Sequence, residues 1–335
     1  MKTVVISRKG GPEVLQFVDR ELPTPGPGEV RVQVLATGVA YADILMRNGL
    51  YLGVPPLPYA PGYDIVGVIE SLGSNVTQAR VGDTVAALIV TGGYSQYIVL
   101  PETELVPVPS GLDPAEAVSL VLNYTTAYQM LHRIGKVKPG SRVLIHGAAG
   151  GVGTAALELG RLAGIEMWGT ASSGKHDLVR SLGGMPIDYK SEDFVTFVRR
   201  ATGDGVDLVL DPVGWTYFRR SFGALRPGGK LIGYGISAAV THRASLLIGL
   251  GSFALLGLLP LTSRSKAAEW FNITMLKKKH KDWFREDLGK LMQMLAEKKI
   301  HPLVAERLPL KDAVRAHQLL ESAAVVGKIV LLPQV

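Results

Sequence analysis

Residues 142–175 read as strand, glycine turn, helix and strand, and the turn is His146-Gly147-Ala148-Ala149-Gly150-Gly151-Val152-Gly153. Closely spaced glycines directly after a buried strand let backbone N–H groups and a helix N-terminus approach a pyrophosphate with no side chain in the way. A glycine triplet alone is equally well explained as a structural turn. The flanks decide here: Val143-Leu144-Ile145 is a short apolar strand, residues 154–163 have helical character, and Met167-Trp168-Gly169-Thr170 supplies the next strand. The pattern predicts a parallel strand-helix-strand unit carrying a dinucleotide at its glycine turn.

The segment after the second strand discriminates between dinucleotides. An NAD-type site places an acidic side chain about 20 residues past the glycines, where it accepts hydrogen bonds from the ribose hydroxyls. Here that place holds Ala171-Ser172-Ser173-Gly174-Lys175. Hydroxyls and a cation suit a 2′-phosphate, which a carboxylate would repel, so the expected cofactor is NADP(H). The competing reading is that Ser172 caps the next helix and Lys175 is simply solvated.

A chain of 335 residues has room for about two domains. Its 47% hydrophobic content and alternating strand and helix patterns exclude disorder. There are no cysteines, which excludes disulfides, thiolate zinc sites and cysteine nucleophiles. The opening residues read as a first strand and not a signal peptide, so a cytoplasmic location is expected. Of the net charge of +7, much sits in Lys277-Lys278-Lys279-His280-Lys281. No aromatic-interleaved basic stripe accompanies that cluster, and no nucleic-acid partner is expected.

Residues 30–35, 65–70, 84–89 and 94–100 are candidate strands of a largely antiparallel β domain. From Asn123 onward strands at 142–145, 166–169, 185–188, 206–210 and 230–234 alternate with helix-length intervals, which predicts a doubly wound parallel sheet. In such a sheet Asp211-Pro212-Val213-Gly214 and Gly233-Tyr234-Gly235 end strands at the ligand crevice.

These features together resemble the medium-chain dehydrogenase/reductase superfamily, in particular its zinc-independent quinone oxidoreductase branch. The resemblance spans almost the whole chain. It rests on Gly38-Val39-Ala40-Tyr41-Ala42-Asp43, Arg47-Asn48-Gly49-Leu50-Tyr51, Pro61-Gly62-Tyr63-Asp64, Val81-Gly82-Asp83-Thr84-Val85, Thr126-Ala127-Tyr128, the glycine turn, and the Gly-Lys-Ile-Val ending at 327–330. It implies an α/β protein with a GroES-like β-barrel catalytic domain, residues 1–124 and 271–335. A Rossmann NADPH-binding domain, residues 125–270, would be inserted between them. Zinc-dependent relatives carry a cysteine near the first motif, a Gly-His-Glu where this chain has Gly62-Tyr63-Asp64, and a four-cysteine lobe; all are missing here, so no metal is expected. Without a Lewis acid to polarise an alcohol, reduction of a quinone or electron-poor C=C is the favoured chemistry.

Carried over residue by residue, the resemblance places Gly150, Gly151 and Val152 at the pyrophosphate, and Ser172, Ser173, Lys175 and Tyr189 at the 2′-phosphate. It also places Gly235 and Ile236 along the path to the nicotinamide, Thr126 beside it, and Phe271, Asn272 and Lys328 at further NADPH contacts. Many relatives have Asn where this chain has Ala40, so one amide near the nicotinamide is lost, and Tyr41 or Asn48 are the candidates to compensate. Tyr51 aligns with a tyrosine that enoyl-reductase relatives use as proton donor; its other reading is a wall of the pocket, with Tyr63. A small apolar electrophile is the expected substrate and a homodimer the expected assembly. Two alternatives stand: a membrane-associated NADPH-binding protein with little catalysis, and a secondary-metabolite or polyketide-pathway enoyl reductase.

Residues 244–261 form a long apolar stretch. As a helix it would be about 27 Å long, the margin of a bilayer span. Its place between the fifth strand and a sixth expected at 269–274 argues against spanning, which would tear the sheet. A buried helix or dimer contact, an apolar substrate entrance, and a membrane-surface patch aided by the 277–281 lysines remain open.

Overall fold

The computed structural model describes residues 1–335 apart from Leu52 and residues 242–244. The chain divides into two compact units, Met1–Thr125 with His280–Val335, and Thr126–Lys279.

In the first unit β1 (Lys2–Ile6) and β2 (Leu15–Asp19) form an antiparallel pair. The other strands are β3 (Glu29–Val39), β4 (Asp64–Leu72), β5 (Thr84–Leu88), β6 (Tyr97–Pro101), β7 (Val106–Pro107), β14 (Val304–Pro309) and β15 (Lys328–Leu332). They form one sheet in the order β14-β15-β3-β4-β5-β7, with β6 also on β3. All pairings are antiparallel except that of β14 with β15. Because strand side chains alternate faces, Val30, Val32 and Val34 of β3 all point to one side, where they pack with Ile65, Ile69, Val85 and Leu100. The strand expected at 94–100 begins only at Tyr97, because the backbone N–H of Tyr94 turns to Pro61 O at 2.9 Å. That detour carries the Tyr94 side chain into the interior, where it is fully buried.

The second unit holds β8 (Arg142–His146), β9 (Glu166–Ala171), β10 (Gly184–Asp188), β11 (Val206–Asp211), β12 (Leu225–Gly233) and β13 (Ala267–Trp270). They form a parallel sheet in the order β10-β9-β8-β11-β12-β13. Chain progression reverses direction between β8 and β11, the switch point at which a ligand crevice opens in such sheets. The sixth strand lies earlier than the sequence suggested: β13 ends at Trp270, and Ile273–Lys279 is a helix capped by Asn272, whose Oδ1 accepts the Met275 N–H at 3.0 Å.

The apolar stretch forms a helix at Ser245–Leu258 followed by a 3₁₀ turn at Leu259–Thr262, while Ala244 lies outside the described residues. Ile248, Ser252, Leu256 and Leu259 recur at helical spacing and are buried, and the last two join the core of the parallel sheet. On the opposite face Leu247, Leu250, Leu258 and Leu261 are exposed. Among the described residues no helix is long and apolar enough to cross a membrane.

Candidate active site

In the second unit the glycine turn takes the shape its sequence predicts. Gly147 has a φ of 68°, and Gly150 caps the helix Gly151–Leu162. Gly153 must be glycine for close packing, since a Cβ there would lie 2.3 Å from Gly147 O. The N-terminal amides of that helix therefore lie directly after β8, bare of side chains at 150 and 151.

The end of β9 bears on whether Ser172 is spent as a cap. Ser172 stands at the start of the 3₁₀ turn Ser173–Lys175, yet its side chain makes no capping hydrogen bond. Lys175 is half-buried, and desolvation lowers its pKa. Asp188 of β10 registers with Ala171 of β9, and exposed Tyr189 is the next residue beyond the end of β10. No carboxylate occupies residues 171–175.

A buried hydrogen-bond chain ties the glycine turn to the end of β11. Ser221 Oγ donates to Asp211 Oδ2 at 2.6 Å, so His146 Nε2, 3.0 Å away, is the nitrogen that donates to Ser221. His146 Nδ1 then accepts from Thr170 Oγ1 at 3.1 Å. Burial holds His146 below the ordinary imidazole pKa, which suits the neutral ring this chain requires. Asp211 Oδ1 accepts the N–H groups of Val213 and Gly214 at 2.7 and 3.2 Å and so shapes the loop after β11. Gly235 lies against that loop: a Cβ there would be 2.6 Å from Pro212 O. Ile236, Phe271 and Thr126 are buried in the same unit.

In the first unit the tyrosines named from sequence meet. The Tyr51 and Tyr63 hydroxyls are 2.6 Å apart, with rings edge to face at 6.1 Å. Tyr63 is buried and Tyr51 half-buried. Tyr41 and Asn48 stand at the two ends of the helix Tyr41–Arg47; burial pushes the Tyr41 phenol up to about 12, and Asn48 Nδ2 donates to Ile44 O at 2.8 Å. Lys328 is buried with its Nζ 2.9 Å from Asp64 Oδ2, an ion pair that closes over Gly38, where a Cβ would lie 2.1 Å from the lysine Cε.

Sequence reasoning missed the network behind this site. Asp43 is fully buried; its Oδ2 accepts the Ala40 N–H at 2.8 Å and its Oδ1 the Gly62 N–H at 3.1 Å, which fixes the residues flanking Tyr41 and Tyr63. Tyr94 OH donates to Asp43 Oδ2 at 3.3 Å, and His317 Nε2 lies 3.2 Å from the same phenol. With the phenol proton committed to Asp43, His317 Nε2–H donates to Tyr94, and Nδ1 accepts from Arg47 at 3.2 Å. Arg47 in turn pairs with Glu321. Burial pushes Asp43 up to about 7, opposed by its two backbone hydrogen bonds; burial and then the Arg47 charge push His317 down to about 3. Asp43 closes the motif at 38–43, but its connection to His317 depends on a sequence separation that no local pattern reports. Among the described residues no group of three or more His, Asp or Glu gathers as metal ligands.

A parallel sheet with a glycine turn at its switch point, joined to a mainly antiparallel β unit, defines a nicotinamide-type oxidoreductase. A family model described as "Alcohol dehydrogenase GroES-like domain" matches residues 26–110, and one described as "Zinc-binding dehydrogenase" matches residues 182–331. The chain is 34% identical to a 2-haloacrylate reductase from Burkholderia sp over 98% of each chain. It is 31% identical to a synaptic vesicle membrane protein VAT-1 homolog of Rattus norvegicus, over 99% of this chain and 84% of that protein. The crystal structure of Escherichia coli quinone oxidoreductase complexed with NADPH aligns with a TM-score of 0.83 at 28% identity, over 99% of this chain and 100% of that one. The chain belongs to the medium-chain dehydrogenase/reductase superfamily, in its zinc-independent branch.

Proposed function

We propose that this protein is an NADPH-dependent reductase acting on a quinone or an α,β-unsaturated carbonyl. The observation that carries the reading is the end of β9, where Ser172, unspent as a cap, and half-buried Lys175 stand in place of a carboxylate. NADPH, when bound, supplies a hydride. The amides at 150–152 bind its pyrophosphate; Ser172, Ser173, Lys175 and Tyr189 bind its 2′-phosphate. Tyr51, whose hydroxyl is already shared with Tyr63, donates the proton that an enolate takes up after reduction. No step calls for a metal, since the acceptor is electron-poor before it binds. The test is steady-state turnover of a quinone and enone panel with NADPH, before and after exhaustive chelation. Turnover that survives chelation supports the reading; turnover restored only by added metal, or none with any acceptor, rejects it.

A second reading concerns where the enzyme works. The exposed leucines at 247, 250, 258 and 261 and exposed Lys278 and Lys279 favour contact with an anionic lipid surface. Sedimentation with anionic but not neutral vesicles is the expected result, and no sedimentation with either removes this reading.

A further inference from the structure

Trp215 holds a backbone conformation that belongs to glycine. Its φ is 51° and its ψ −131°, the first central position of a type II′ turn, closed by the Tyr217 N–H onto Gly214 O at 3.1 Å. Such a conformation in a bulky residue persists only where neighbours enforce it.

The neighbours here come from the apolar helix. Ser252, fully buried, donates its hydroxyl proton to Ile248 O at 2.7 Å and accepts the Trp215 N–H at 2.9 Å. The preceding residue, Gly251, receives the indole edge: a Cβ there would lie 2.3 Å from the ring carbon Cζ3. Within the apolar helix, Trp215 accounts for both Gly251 and Ser252.

What Trp215 anchors is the loop after β11. Pro212 O accepts the Ser237 N–H and Val213 O the Ala238 N–H, each at 3.0 Å, and Gly235 fits only because it lacks a Cβ against Pro212. The backbone next to Gly235 and Ile236 is thus set by the 211–214 loop, whose far end is held by the apolar helix.

We propose that Ser252, acting through Trp215, is a positioning residue of the nucleotide site. The helix whose sequence leaves burial, a dimer contact, a substrate entrance and a membrane patch open holds Trp215 in a glycine-like turn and so keeps residues 235–238 in register with the cofactor crevice. The inference rests on the NADPH reading above.

The test is titration of NADPH into the purified protein, followed by nicotinamide fluorescence. Ser252→Ala is expected to weaken NADPH at least tenfold, because Trp215 then relaxes out of its turn. Trp215→Gly is expected to bind within threefold of wild type, since glycine holds the turn unaided. The double variant Ser252→Ala/Trp215→Gly is expected to return to within threefold as well. Gly251→Ala, which drives the ring out of its seat, is expected to lose affinity in the same way and to be rescued by Trp215→Gly. It also guards against a Ser252 variant that fails to fold. A role for Ser252 confined to the helix predicts a loss that glycine at 215 does not repair; that result, or undiminished affinity in Ser252→Ala, overturns the proposal. Wild type that binds no NADPH rejects the nucleotide reading itself, whereas wild type that binds while Ser252→Ala binds equally well rejects the positioning role alone.

Discussion

Lys328→Met should destabilise the protein strongly. The side chains of Lys328 and Asp64 are 2% and 0% exposed and 2.9 Å apart. Methionine fills nearly the same volume, so the loss is electrostatic: a carboxylate stays buried with one backbone hydrogen bond, from the Gly38 N–H at 3.0 Å. Removing one partner of such a pair costs about 3–5 kcal/mol. Urea denaturation of both proteins at pH 7 measures the difference directly. Lys328→Met/Asp64→Asn, which keeps an acceptor for Gly38 and removes the charge, should recover most of the loss at pH 7. A destabilisation of less than about 1 kcal/mol at pH 7 would refute the reasoning, because it would mean that the pair is not the buried charge couple the geometry describes.

Two further outcomes follow from the buried groups and the phenols. His317, held neutral with its proton on Nε2, should show no titration by NMR between pH 5 and 8; it contributes stability that is complete above about 6.5 and lost as pH falls toward about 3. Asp43 acts with the opposite sign, since a carboxyl raised to about 7 favours the fold below its unfolded pKa and loses that contribution as pH rises through 7; a His317 resonance titrating near 6.5 would contradict the assigned chain of donors. Tyr51→Phe should lower kcat on an enone by roughly 10² or more with little change in NADPH affinity, and should affect a quinone less, because a reduced quinone takes protons from solvent. Near wild-type rates with both acceptors would leave Tyr51 as a wall of the pocket.

The parts of this protein that were legible from sequence are those written in short-range patterns. The Val30, Val32, Val34 alternation and the glycine turn at 147–153 each encode their geometry within one element, so strands, turn and helix fall where expected. The sixth strand was misplaced because β13 is only four residues long and Asn272 starts a helix immediately after it, a cap hidden by the apolar residues around it. The apolar stretch at 244–261 was ambiguous because hydrophobic periodicity cannot tell a face buried on a sheet from a face left open, and this helix has both. The Asp43–Tyr94–His317–Arg47 chain was illegible for a different reason: His317 is 270 residues from Arg47, and only the return of the C-terminal segment to the first unit brings them together. Trp215 gives no sequence signal either, since its turn is enforced by Ser252 from another element.

The claim on which the functional account depends is that the end of β9 binds a 2′-phosphate. Equilibrium titration of wild type and Lys175→Ala with NADPH and with NADH tests it most directly. A charge-assisted contact at the kilocalorie scale is sufficient for wild type to bind NADPH at least tenfold more tightly than NADH. Lys175→Ala should then erode that preference while leaving NADH affinity nearly unchanged. Equal affinities in wild type, or equal losses for both cofactors in the variant, would contradict the assignment.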